Sequence, residues 1–360
     1  MKNKNKTLKE IFAEAFVNYR KSNFKAAENF CYKILSIEPN HFDSIFLLAT
    51  ISAVNNNFDK AIKLLQQAIE IQPKNVNVLN NLGTAYKELG NNTKAINYYN
   101  KVLEINPNHT NAHYNLGLMF YGLKETEKAK NYLQKTVEIQ PNYALAYFSL
   151  GNVHVDLKNF DNAVSCYQKA IELNPNLIGV HNNLGLVFRI LNDFENAVRC
   201  YKKVLKIKPN HAGVHHNLAL AYKELGEFEK AIKSHESAIK SEPDNTTHYF
   251  YLSELKKEVL NDKLKNKIEK IIKNKNSDKN IMAYGNFILA RYENKKKNLT
   301  KEIDYLKKGH QQFFDSKKEK FTLGIKYCFD DVLQISRNAS VSKINNLEDY
   351  NVKPIFIIGV

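Results

Sequence analysis

Histidines offer the first residues whose spacing bears on chemistry. His109 and His113 lie four residues apart, as do His211 and His215, with His216 adjacent. One helical turn puts two such imidazoles on one face, the arrangement that grips a transition metal. Their phase argues for another use. His113, His181 and His215 recur at one position of a 34-residue period, a position for a large packing residue, and His109 and His211 fall at the boundary of that period. Structural histidines are therefore expected, and no metal site is assigned. Asp330-Asp331 reads as helix surface. There is no His-Glu-x-x-His, no phosphate-cradling glycine loop and no Cys-x-x-Cys pair. No catalytic and no cofactor-binding residue is assigned.

Amides are the second candidate. Asn81, Asn115, Asn183 and Asn217 share position six of the period, where Leu47 and Ser149 stand in two other copies. A side-chain amide carries both a donor and an acceptor. Repeated at a fixed interval, it matches the main chain of an extended peptide, whatever that peptide's side chains are. These four are the expected partner-binding residues. The alternative stays open that they bond within their own helix layers, or reflect the abundance of asparagine.

Proline sets the period. Pro39, Pro73, Pro107, Pro141, Pro175, Pro209 and Pro243 are spaced by 34 residues at every step. Within one copy, a first apolar run (Leu79, Leu82, Tyr86) precedes a Gly90-Asn91-Asn92 turn signal. A second run (Ala95, Ile96, Tyr99, Val102, Leu103) leads to the proline. Both runs have helical spacing. Proline cannot continue a helix and turns the residue before it away from helical angles. Position eight is small in every copy: Ala15, Ala49, Gly83, Gly117, Gly151, Gly185 and Ala219. Glycine inside a helix costs roughly 1 kcal/mol relative to alanine, so the four glycines imply a site where two backbones approach closely.

The pattern resembles the tetratricopeptide repeat, a helix–turn–helix unit that stacks on its neighbours. The resemblance implies an all-α fold, a right-handed superhelix or α-solenoid. Seven units are expected at 8–41, 42–75, 76–109, 110–143, 144–177, 178–211 and 212–245, behind a charged tail at 1–7. The first is degenerate, with Glu14 where others carry leucine, as a water-facing cap requires. Residues 246–275 read as a degenerate repeat or cap helices, with 246–258 solvating the end of the array. A helical, repeat-like segment is expected at 280–335 and a polar linker at 336–353. Residues 354–360 read as a buried strand that opens a further α/β domain.

Composition bounds the function classes. The net charge is +16, of which +9 falls in residues 246–360. The basic residues are nearly all lysine, with no nucleic-acid motif beside them, so the excess reads as solvated surface rather than a nucleic-acid site. The amino terminus shows no signal peptide and no apolar run approaches the ~20 residues of a membrane span. Cys31, Cys166, Cys200 and Cys328 read as small apolar residues in a reducing compartment. The cytoplasm is the expected location.

The carboxyl-terminal third resembles the tetratricopeptide-repeat sulfotransferases. Phe287-Ile288-Leu289-Ala290 matches one helix motif of that family, and Leu306-Lys307-Lys308-Gly309-His310 a second, with histidine where the family has asparagine. Pro354-Ile355-Phe356-Ile357-Ile358-Gly359 matches the strand that leads into the family's PAPS-binding loop. The resemblance implies that this chain docks polypeptide substrates for a PAPS-dependent sulfotransferase domain encoded beyond Val360. No cofactor is expected within the 360 residues. A stand-alone interaction scaffold and the array of a protein glycosyltransferase are the alternatives.

Overall fold

A computed structural model describes residues 7–274 and 277–317; the last part of the expected helical segment (318–335, with Asp330-Asp331), the expected linker and the terminal strand lie outside them. Every regular element among the described residues is helical. Helices come in pairs: α1 (Leu8–Arg20) with α2 (Phe24–Leu35), α3 (Phe42–Val54) with α4 (Phe58–Ile71), and α5 (Val76–Glu88) with α6 (Asn92–Ile105). Then follow α7 (Thr110–Gly122) with α8 (Thr126–Ile139), α9 (Ala144–Asp156) with α10 (Phe160–Leu173), and α11 (Ile178–Ile190) with α12 (Phe194–Ile207). These twelve form an N-terminal unit ending at Pro209. A C-terminal unit begins at Asn210. It holds α13 (Ala212–Glu224), α14 (Phe228–Ser241), α15 (Thr246–Leu255), α16 (Asp262–Lys273), α17 (Lys279–Lys295) and a last helical run over 299–317.

Local chemistry fixes the helix ends. Thr7 and Glu10 form a reciprocal capping box at α1. Asn23, Asn57 and Asn91 each accept an amide N–H of the helix they precede, satisfying one of its orphan donors. His41, His109 and His211 do the same through Nδ1 for Ser44, Ala112 and Val214. The turn inside each hairpin takes one residue in the left-handed region: Ser22, Asn56, Gly90, Lys124, Lys158, Asn192 and Gly226.

At the position-eight glycines the nearest neighbours belong to the second helix and are mostly side-chain atoms, with one backbone atom, Leu133 N, 3.4 Å from a Cβ on Gly117. A Cβ on Gly83, Gly151 or Gly185 would come within 2.5–2.7 Å of the ring of Tyr99, Tyr167 or Tyr201, sixteen residues on. On Gly117 it would meet Leu133 Cγ at 2.6 Å. The missing methyl makes room for a side chain of the second helix, and the three tyrosines are among the largest fully buried residues. The phenols are not left dry in two of these copies. Tyr99 Oη lies 3.0 Å from Thr84 Oγ1, and Tyr167 donates to Asn152 Oδ1 at 2.7 Å.

In the C-terminal unit, α15 does not solvate an end. Thr246, His248, Tyr249, Leu252 and Ser253 are buried, because α14 and α17 both pack on this helix. Thr246 Oγ1 donates to the Ile281 carbonyl. Arg291 of α17 lies 3.7 Å over the Phe250 ring and donates to the Phe250 carbonyl, Ser253 Oγ and Glu254 Oε1. Lys256-Lys257 mark a solvated end in sequence, but the apolar stripe ahead of them is covered by α17, whose Arg291 lies 41 residues beyond Phe250. Gly309, in the last helical run, also packs against α17: a Cβ there would meet Phe287 Cε1 at 2.6 Å.

Candidate functional site

Position six of the first helices is the candidate partner-binding register. In the N-terminal unit it places Asn81 on α5, Asn115 on α7 and Asn183 on α11, all half-buried. Leu47 and Ser149, at the same register of α3 and α9, are buried. Asn217 on α13 is half-buried in the C-terminal unit. The register falls one residue before the buried leucine at position seven (Leu82, Leu116, Leu184, Leu218). Helical geometry therefore tips it toward the edge of the packed face rather than into solvent.

The four amides are not equivalent. Asn183 Nδ2 donates to Asn152 Oδ1 at 2.9 Å, the oxygen that also accepts the Tyr167 hydroxyl. Asn182 Nδ2 reaches Asn183 Oδ1 at 3.4 Å. Asn183 thus belongs to a side-chain network across α9, α10 and α11. Among the described residues, the side chains of Asn81, Asn115 and Asn217 carry no such hydrogen bond. Asn81 lies on a groove of about 400 Å³ between α3 and α5, with Thr50, Ala53, Val54 and Thr84 on its walls and Glu88 at its rim. Val54 is half exposed there. A groove with apolar walls and an amide at its edge suits a peptide segment that buries a small side chain and offers main-chain groups to the amide.

Sequence reasoning did not single out position nine. Thr84 and Asn152 occupy it and hold the phenols of Tyr99 and Tyr167. A polar residue at nine with tyrosine at twenty-four was the available signal, but it occurs in only two copies. Burial raises the Tyr99 phenol to about 12 and raises Tyr167 further, so both are neutral donors at physiological pH.

The histidine pairs separate into distinct roles. His109 caps α7 while His113 Nε2 donates to the Pro107 carbonyl at 2.8 Å. His181 donates likewise to Pro175 at 2.9 Å, and Tyr249 Oη to Pro243 at 2.9 Å. These side chains reach back to the carbonyl of the proline that stops the preceding helix. Among the described residues no group of three or more His, Cys, Asp and Glu side chains is arranged to hold a metal ion. Cys31, Cys166 and Cys200 are free thiols, and burial raises each to about 11, which keeps them protonated and unreactive. No helix among the described residues is long and apolar enough to cross a membrane.

Comparison with known proteins agrees with this architecture. Residues 46–281 match the family described as "Cilia and flagella-associated protein 70 C-terminal domain". No curated protein matches the chain. The C-terminal part of a TPR repeat-containing protein from Cytophaga hutchinsonii is similar in structure, at 16% identity and a TM-score of 0.55 over 66% of this chain and 98% of that one. PilF of Pseudomonas aeruginosa is similar at 18% identity and a TM-score of 0.53, over 59% of this chain and 97% of that one. YrrB, titled a TPR protein with an unusual peptide-binding site, gives 23% identity and a TM-score of 0.49, over 52% and 97%.

Proposed function

We propose, from the premise that the chain belongs to the family of the cilia and flagella-associated protein 70 C-terminal domain, that this tetratricopeptide-repeat scaffold binds an extended peptide along its first helices. One observation carries the reading. Asn81 and Asn115 hold the same register on α5 and α7, half-buried, with no side-chain hydrogen bond among the described residues. A half-buried amide with no protein partner has its donor and acceptor open to a peptide main chain, which alternates the two. Asn217 presents the same chemistry within the C-terminal unit. Asn183 contributes through the N–H and lone pair that its network leaves over.

The test is peptide binding by calorimetry, using a library of unstructured peptides. Asn→Ala at 81, 115 and 217 together is expected to lower affinity at least tenfold while leaving helicity and melting within error. Unchanged affinity would remove the amide register from the function. The free, buried thiols favour a reducing compartment, the cytoplasm, as the place of action.

A second reading is favoured by the contact of Phe287 with Gly309 and by Pro354-Ile355-Phe356-Ile357-Ile358-Gly359. In it the array docks substrate polypeptides for a sulfotransferase domain that binds PAPS beyond Val360. The codons that follow position 360 decide it: Pro-Arg-Ser-Gly-Thr supports the enzyme, and any other continuation removes it. No observation favours the glycosyltransferase alternative, or an RNA-binding array.

A further inference from the structure

Three imidazoles meet in the core of the C-terminal unit. His216 of α13 lies with its ring centroid 5.4 Å from that of His235 (α14) and 5.6 Å from that of His248 (α15). Tyr251 of α15 closes the cluster, edge-on to His216 at 4.9 Å and stacked on His235 at 6.1 Å. His235 is 1% exposed and His248 3%. Neither ring nitrogen of His235 has a hydrogen-bond partner, and neither has Nδ1 of His248.

We propose that this buried histidine cluster is an acid-sensitive latch: as the pH falls through mild acid, opening of α13, α14 and α15 is increasingly favoured, because the opened imidazoles take up protons that the closed cluster excludes, while helices of the N-terminal unit are less affected.

The surroundings give a second charge nowhere to go. From α13, Lys223 adds a positive charge near His235, and its ammonium is held by Glu254 at 3.0 Å. Glu254 is shared with Arg291 of α17 at 2.9 Å, so this carboxylate is already matched by two cations. From α15 come His248 and Tyr251. From α17 comes Tyr284, 6.1 Å from Tyr251 and pushed by burial to about 12, hence neutral. Glu242, in the α14–α15 connection, lies 3.4 Å from His248 Nε2. It favours a proton on His248, yet burial prevails and His248 stays below the usual histidine range. Burial, then the two neighbouring imidazoles, push His235 down to about 3.

Both folded-state values lie below the unfolded one, so the unfolded chain binds protons first. The stability is therefore fully present above pH 6.5. It falls as the pH drops from there, and for His235 the fall continues to about pH 3. Each such histidine lowers the folded-to-open ratio by up to roughly tenfold per pH unit in that window. The N-terminal unit also has a buried histidine, His154, which burial lowers too. It belongs to no imidazole cluster, whereas His113 and His181 each retain a carbonyl acceptor.

The experiment is amide hydrogen exchange on the full chain from about pH 7.5 to about pH 5, a window below the unfolded histidine value, expressed as protection factors that remove the intrinsic pH dependence. Protection of α13–α15 is expected to fall at least tenfold more than that of α5–α8. His235→Leu is expected to halve that fall or better. The chain already pairs leucine with alanine at these two repeat positions, in Leu65 and Ala49, so a leucine side chain at position 235 has a precedent beside Ala219. Equal loss in both regions, or an unchanged profile in H235L, overturns the latch. If H235L does not fold at neutral pH, the wild-type His235 Hε1 resonance serves instead. No titration above about pH 5 is expected, and a midpoint near the ordinary histidine value overturns the proposal.

Discussion

Repeat positions eight and twenty-four are filled in opposite ways in the two units. In three copies of the N-terminal unit, glycine at eight cradles a fully buried tyrosine, and in two of these a polar residue at nine takes the phenol hydrogen bond. In the C-terminal unit, Ala219 and His235 hold the same positions, and the imidazole has no partner. The period thus keeps a small residue at eight and leaves the size and polarity of its partner at twenty-four open. A buried hydroxyl that is satisfied rigidifies its layer, and a buried imidazole that is not makes its layer conditional on pH.

The largest way to break this comparison is to empty a layer. Tyr167→Ala removes a buried aromatic ring and orphans one contact of Asn152. It is expected to cost about 3–5 kcal/mol, the range for aromatic truncation in a core. Denaturant unfolding followed by far-ultraviolet circular dichroism measures it, with hydrogen exchange to show that the loss centres on α9–α11. A cost under about 1 kcal/mol, well below that range, would mean that the ring fills no needed space.

The next change is smaller and turns on its sign. A helical glycine replaced by alanine ordinarily gains roughly 1 kcal/mol. Gly151→Ala is expected to lose about 1–3 kcal/mol instead, because the new methyl would sit 2.5 Å from the Tyr167 ring. Gly117→Ala should lose less, since Leu133 is aliphatic and can turn as Leu65 does beside Ala49. Joining Gly151→Ala to Tyr167→Leu rebuilds that alanine–leucine pair. The double-mutant cycle should then show favourable coupling of about 0.5–3 kcal/mol. Additive losses would mean that the two positions do not share a space.

Amides sharpen the comparison further. Asn183→Ala removes a bond to Asn152 and is expected to cost about 1 kcal/mol. Asn81→Ala breaks no internal bond and should change the melting point within error. Thermal melting of the two single variants separates structural from free amides. Equal effects would place both in the same role.

Much of this was legible in the chain. The 34-residue prolines, the alternating apolar runs and the small residues at eight carry helix pairs and their order, because hairpin packing repeats whenever its residues do. The partner of a repeated residue was harder to read. Four glycines in phase announced tight packing, but only the fold shows that in three of the copies a tyrosine sixteen residues later fills the space. Asn81 and Asn183 look alike in sequence, yet position nine of the preceding unit decides which amide is occupied, and that position varies. Residues 246–258 looked solvated because their covering helix, α17, lies outside the period. The His216, His235 and His248 cluster was illegible for a related reason: three phases of three different helices converge in it.

The smallest effect separates the hairpin turns. Gly90 and Gly226 take φ of 74° and 73°, which glycine adopts freely, while Lys158 takes 57° in the same role. A non-glycine residue pays roughly 1–2 kcal/mol for that region. Glycine there loses about 0.5–1 kcal/mol more backbone entropy on folding. Lys158→Gly is therefore expected to stabilise, and Gly90→Ala to destabilise, by about 0.5 kcal/mol each. Paired thermal melts of the two variants test the signs. Should Lys158→Gly lower the melting point, the Lys158 side chain makes compensating contacts, and the turns differ in more than backbone strain.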